Sequence, residues 1–140
     1  MRGLTTRLLP VAAALLVASG CSNNDTTTTT TPATTLTTVE TFSGTLNANG
    51  AFSYPFVVLA AGTISAQLNT LTPDSAQPIG IALGTWNGNA CQIVLSNDSA
   101  VQSSSVLGQS TVAGNFCVRI YDAGGTVSSQ ETYVVQVTHP

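Results

Sequence analysis

Few side chains in this sequence are equipped for chemistry. Its 140 residues hold three cysteines, one histidine and six carboxylates, and its only three cations are Arg2, Arg7 and Arg119. A Ser–His–acid centre needs a base that its neighbours hold and orient. His139 is the penultimate residue, where chain ends are usually mobile, so a structural or incidental role is expected for it. Lysine is absent, which excludes Ser–Lys chemistry. The carboxylates stand singly at Asp25, Glu40, Asp74, Asp98, Asp122 and Glu131. Asp98 and Asp122 fall at expected loops where the two can meet, but a glycosidase pair needs a defined separation across a cleft. Hard-cation sites gather several acidic oxygens, and no two of these acids lie within three positions. The expectation is therefore a protein with no catalytic residues, no metal and no dissociable cofactor. A net charge of −3 also lacks the basic face that phosphate neutralisation requires, which argues against nucleic acid.

Binding is better served. Trp86 immediately precedes Asn87-Gly88, and Tyr121 stands two residues from Arg119. Exposed aromatics of this kind, with Tyr54 as a further candidate, stack on sugar rings, and they equally cap hairpins by packing across strands. Trp86, Tyr121 and Arg119 are the candidate ligand-binding residues. The bland alternative for Arg119 is a surface ion pair with Asp122 or Glu131, of small energetic value.

The first twenty residues read as a leader. Arg2 and Arg7 precede an apolar run from Leu8 to Ala18, about half the ~20 residues that a spanning helix needs. Ala18-Ser19-Gly20-Cys21 then resembles the lipobox of bacterial lipoproteins, with Ala18 where leucine is usual. The resemblance implies cleavage before Cys21, a thioether-linked diacylglycerol and an N-acyl chain on that residue, and anchoring to the lipid bilayer. More than one acyl chain is what makes such anchoring stable. The alternative is an ordinary secretory signal with an incidental cysteine. Ser22, in place of the aspartate that favours inner-membrane retention, implies the outer membrane of the cell envelope. Processing would leave Arg119 alone against six carboxylates, a net −5, so the lipid rather than the domain would hold the protein to anionic membranes.

Residues 21–38 carry the lipidated cysteine and a tether. From Thr26 to Thr38, ten of thirteen residues are threonine. Such a stretch cannot bury enough apolar surface to offset the entropy of ordering. It is expected to be a disordered linker, reaching about 55 Å when extended at roughly 3.3 Å per residue. Threonine- and proline-rich segments are also acceptors for O-glycosylation, an unmodified spacer being the plainer reading.

Residues 39–140 alternate. Ile64, Ala66 and Leu68 interleave with Ser65, Gln67 and Asn69. Ile79, Ile81 and Leu83 interleave with Gly80, Ala82 and Gly84, and Phe116, Val118 and Ile120 with Cys117, Arg119 and Tyr121. Tyr133, Val135 and Val137 close the series. Period two with one apolar face predicts an all-β antiparallel β-sandwich of seven to eight strands. The strands are expected near 39–46, 51–59, 63–71, 79–86, 90–96, 103–112, 115–122 and 131–138. Asn49-Gly50 and Asn87-Gly88 predict type I′ hairpins. Asn97-Asp98 and Gly124-Gly125 predict further turns. Alternation alone leaves jelly-roll and immunoglobulin-like topologies open.

The segments Phe42-Ser43-Gly44-Thr45-Leu46, Phe52 to Val58, Ala61 to Leu68, Ala113 to Ile120 and Tyr133 to Val137 together resemble the bacterial pre-peptidase C-terminal (PPC) domain. The resemblance covers essentially all of residues 39–140. It implies a jelly-roll-like, non-catalytic sandwich whose relatives sit on cell surfaces or beside secreted enzymes, some binding matrix polymers or calcium. Asn47 and Asn49 stand where that family commonly has acids, so no calcium ligand carries over. The partner expected is an envelope protein or a polysaccharide.

With Cys21 lipidated, Cys91 and Cys117 remain in an exported domain, where disulfides form and persist. A structural disulfide is expected, contributing about 3 kcal/mol for a loop of this length. Simple alternation places Cys91 in line with Ile93 and Leu95, but Cys117 opposite Phe116 and Val118. Either the strand is out of register near its start, or the bond lies at a sheet edge.

Overall fold

The computed structural model describes residues 36–140. The leader, Cys21 and the tether as far as residue 35 lie outside the described residues. Eight strands follow: β1 (Thr38–Leu46), β2 (Ala51–Val58), β3 (Gly62–Thr72), β4 (Ile79–Trp86), β5 (Cys91–Ala100), β6 (Ser105–Ser110), β7 (Gly114–Tyr121) and β8 (Glu131–His139). No helix occurs among the described residues. All pairings are antiparallel.

The strands form two four-stranded sheets, ordered β1-β8-β3-β6 and β2-β7-β4-β5. That is the order of a jelly roll, an eight-stranded double sheet built from Greek keys. It decides the topology, because an immunoglobulin sandwich pairs its first two strands, whereas here β1 pairs with β8 and β2 with β7. Between the sheets lie the apolar positions that the alternation marked: Ile64, Ala66 and Leu68 of β3, Ile81 and Leu83 of β4, Val118 and Ile120 of β7, and Tyr133, Val135 and Val137 of β8. Each large aliphatic side chain so buried contributes roughly 1.5–3 kcal/mol.

Three turn expectations need correction. Asn49-Gly50 does not make a hairpin, because β1 and β2 belong to different sheets. The chain turns instead over Asn47–Gly50, where the Gly50 amide donates to the Asn47 carbonyl at 2.8 Å and Asn49 takes a left-handed φ of 55°. Asn87-Gly88 does lie in a hairpin, between β4 and β5, but its loop spans four residues from Asn87 to Ala90. Of the pair only Gly88 has positive φ. Asn87 closes the loop with its side chain, whose Oδ1 accepts from the Asn89 and Ala90 amides at 2.9 and 2.8 Å. Asn97-Asp98 is not a turn either: both residues lie within β5, which runs on to Ala100.

Candidate functional site

The outer face of the β2-β7-β4-β5 sheet gathers the candidate residues. β7 directs Cys117, Arg119 and Tyr121 outward, because Phe116, Val118 and Ile120 are claimed by the core. Their cross-strand neighbours on β4 are Gly84, Ala82 and Gly80 in that order. These three small residues leave a shallow floor over which the β7 side chains lean toward β5. Tyr121 lies across Gly80 so closely that a Cβ there would collide with its ring. Its hydroxyl donates to the Asp98 carboxylate on β5. Burial and that hydrogen bond hold the Tyr121 phenol above its ordinary pKa, so it remains a donor at neutral pH.

The disulfide crosses the same floor. Cys91 and Cys117 are bonded, with Cα atoms 5.7 Å apart. Strands separated by an intervening strand normally lie about 9.5 Å apart. Here the start of β5 crowds onto Gly84 of β4, whose missing Cβ makes room for the Gln92 carbonyl. The register explains the conflict between the two cysteine faces. Leu83 pairs with Leu95 and Gly84 with Ile93, so Val94 is a bulge and the residues on either side of it change face. β5 is also the sheet edge. Both routes foreseen for this bond are therefore used.

Arg119 forms no ion pair with Asp122 or Glu131. Asp122 is occupied with the backbone amides of Asn49, Thr126 and Val127 at 2.9, 3.0 and 3.4 Å. Glu131 is 1% exposed and accepts from the Asp74 amide at 3.2 Å. Arg119 instead places its guanidinium carbon 5.7 Å from the centre of the Tyr121 ring. Its Nε is shut off from water without a hydrogen-bond partner.

Trp86 shares the outer face but not the neighbourhood. It pairs with Cys91, four residues along β4 from the Ala82 that faces Arg119, or about 13 Å at ~3.3 Å per residue. The disulfide lies between them. Tyr54 is not on this face at all. It stacks on Phe42, with ring centres 5.0 Å apart, and its hydroxyl meets that of Tyr133 at 2.8 Å.

His139 is not loose. It is 2% exposed, with Nε2 3.1 Å from the Glu40 carboxylate and its ring 5.1 Å from that of Phe56. The signal was present in the sequence. Extending the inward series Tyr133, Val135, Val137 by one period in each direction reaches His139 and Glu131, and both are buried. They plug the two ends of the β8 core stripe with hydrogen-bonded polar groups, as burial of polar atoms requires.

Asp122 fastens the β1–β2 turn to the β7–β8 loop. Slight desolvation raises its pKa, but backbone amides of Asn49, Val127, Thr126 and Gly125 outweigh this and hold the carboxyl below its usual value. The stabilisation is thus fully present above the unfolded value of about 3.9 and is lost as pH falls through the lower folded value. Asp122→Asn is expected to lower the melting temperature at pH 6 and to converge with the unaltered protein by about pH 2. Because the group is exposed, the difference should stay under about 1 kcal/mol. Melting curves across that pH range would refute the role if the gap did not narrow.

An apolar cavity of about 160 Å³ opens between the free edges of β5 and β6, lined by Ile64, Leu83, Val94, Leu95, Gly108 and Phe116 among others. None of its lining residues is ionisable. Among the described residues, no group of three or more His, Cys, Asp or Glu side chains is placed to hold a metal ion.

Fold and face together define a disulfide-bridged jelly-roll domain with one outward cation. No family model matches the chain, and no curated protein matches it in sequence. Among solved structures it is similar to PliG of Aeromonas hydrophila, a periplasmic lysozyme inhibitor of g-type lysozyme. The TM-score is 0.50 at 14% identity, over 71% of this chain and 83% of that one. At that identity the likeness is one of fold.

Proposed function

We propose that this protein is a lipid-anchored lipoprotein of the bacterial cell envelope, in the outer membrane, whose PPC-like jelly-roll domain binds another protein and does no catalysis. One observation carries the reading: among the described residues the carboxylates and the histidine are spent on holding the fold, and Arg119 has no such partner. Glu40 meets His139, Asp98 receives Tyr121, and Asp74, Asp122 and Glu131 accept backbone amides. What remains for a partner is a surface rather than a reaction centre. The fold shared with an inhibitor of a lysozyme supports a protein partner, and a g-type lysozyme is the first to try, in a peptidoglycan-clearing assay.

The lipobox and the exported-type disulfide support the anchoring half. Cys21→Ser is expected to move the protein from the membrane fraction to the soluble fraction. Retention in the membrane would overturn that half. Trp86, half-buried beside the β4–β5 loop, favours a second reading as a polysaccharide-binding module. Retention on insoluble polysaccharide that vanishes in Trp86→Ala would promote it over the first.

A further inference from the structure

We propose that Arg119 is a recognition site for a single carboxylate, supplied by an aspartate or glutamate side chain of a partner protein. The inference rests on the binding-module reading and names the chemistry of the contact. Arg119 is the only cation after Arg7, and it stands partly exposed on the outer side of β7, an inner strand of its sheet. Ser53 of β2 and Ala82 of β4 are its cross-strand neighbours, and neither is a counter-ion.

The nearby acid, Asp98, belongs to the same face but is taken by the Tyr121 hydroxyl. Among the described residues the one basic side chain within 4 Å of a carboxylate is His139, beside Glu40, and Arg119 has no carboxylate within that distance. An arginine left in this state is unusual when five carboxylates share the described domain with it. Each of those five has another donor.

The stem is held while the head is unmatched. Nε is closed off from water, and the Tyr121 ring lies beside the guanidinium, so little rotamer freedom is left to lose on binding. A planar guanidinium fixed in this way offers a fork of N–H donors that fits a carboxylate in a bidentate manner, which an ammonium cannot do. Along β7 the disulfide at Cys117 lies on one side of Arg119 and the Tyr121–Asp98 pair on the other. With Arg119 counted, the described residues carry net −4. The partner surface should therefore be neutral or basic around one protruding acid, since an acidic surface would be repelled.

After removal of the leader Arg119 is the only arginine, so an arginine-specific reagent reports on it alone. Phenylglyoxal modification of the full lipidated protein in membranes would be followed in the presence of N-acetylglutamate amide, its glutamine counterpart or sodium chloride. The glutamate probe is expected to slow modification several-fold, with little change from the other two. Equal rates in all three would overturn the proposal.

The partner arm separates this inference from the reading beneath it. In-cell crosslinking of the unaltered protein is expected to give a defined adduct whose yield falls about tenfold in Arg119→Gln and less in Arg119→Lys, with unchanged melting temperatures. An undiminished adduct in Arg119→Gln would overturn the role of Arg119 and leave the module reading standing. No adduct with the unaltered protein would sink the module reading, the phenylglyoxal rates then deciding the carboxylate site by themselves.

Discussion

Replacing Cys91 and Cys117 together by alanine is expected to destabilise the domain by about 3 kcal/mol. The bond closes a loop of 26 residues, and removing it returns that loop's entropy to the unfolded chain. For a domain of about 100 residues the corresponding fall in melting temperature is roughly 12–24 °C. The effect should also be local in the folded state. β5 is an edge strand with a bulge at Val94, and its first residues, paired with the end of β4, crowd onto Gly84 so closely that no Cβ fits there. The bridge is what keeps that end down. Amide exchange in β5 is therefore expected to rise in the double variant more than in β3 or β8, which lie inside their sheet. Chemical reduction of the unaltered protein should reproduce the shift. A fall of only a few degrees would mean that the β4–β5 ladder holds the strand without the bond.

Gly84→Ala is expected to be the most damaging single methyl in the protein, at about 2–3 kcal/mol. The added carbon would enter the Gln92 carbonyl and come to 3.0 Å from the Ile93 Cα. These are backbone atoms and cannot swing aside as a side chain would. Overpacking against a fixed neighbour typically costs 1–3 kcal/mol. Here β5 would have to lift off Gly84, which pulls Cys91 away from Cys117. Two measurements follow: the unfolding midpoint, and free thiols counted under native conditions. The variant should be less stable and should show unpaired thiol in part of the population. Gly114→Ala is the control, because its new carbon meets only the Phe116 ring edge at 3.5 Å, and it should change stability little. If both variants melt together, β5 does not crowd onto Gly84.

These two expectations draw on one feature, the run Gly80, Ala82, Gly84 on the outer side of β4. In the sequence these residues were legible only as the polar-side alternates of Ile79, Ile81 and Leu83. Their smallness gained meaning once β7 was laid beside them, with Tyr121 over Gly80 and the disulfide over Gly84. The same neighbour relation decides Arg119. A sequence-based pairing with Asp122 or Glu131 was reasonable by proximity in the chain, but both carboxylates accept backbone amides from other elements, and Tyr121 reaches Asp98 first.

His139 shows the complementary case. Its place near the end of the sequence suggested a loose residue, while the alternation that ends at Val137 pointed inward for one more step. Alternation was the better guide, because a strand continues as long as its ladder does. Thr38 pairs with His139 at the end of that ladder, and the Glu40 carboxylate and Phe56 ring complete the seat.

What the sequence by itself determined is what period two and turn chemistry encode locally. The approximate strand positions, the inward faces of β3, β4, β7 and β8 and the exported-type cysteine pair lie within a few residues of the signal that announces them, whereas the bulge at Val94 and the run of β5 on to Ala100 do not. The order of the strands is another matter. Six of the seven connections pass from one sheet to the other, and only β4 and β5 are joined as a hairpin. Neighbours in the sheets are thus distant in the chain, as with Ala51 and Tyr121 or Thr38 and His139. No local pattern records such pairings, which are set by the way two twisted sheets bury their apolar faces against each other. That packing alone decided the jelly-roll order, the crowding of β5 onto Gly84, and the isolation of Arg119 on the outer face.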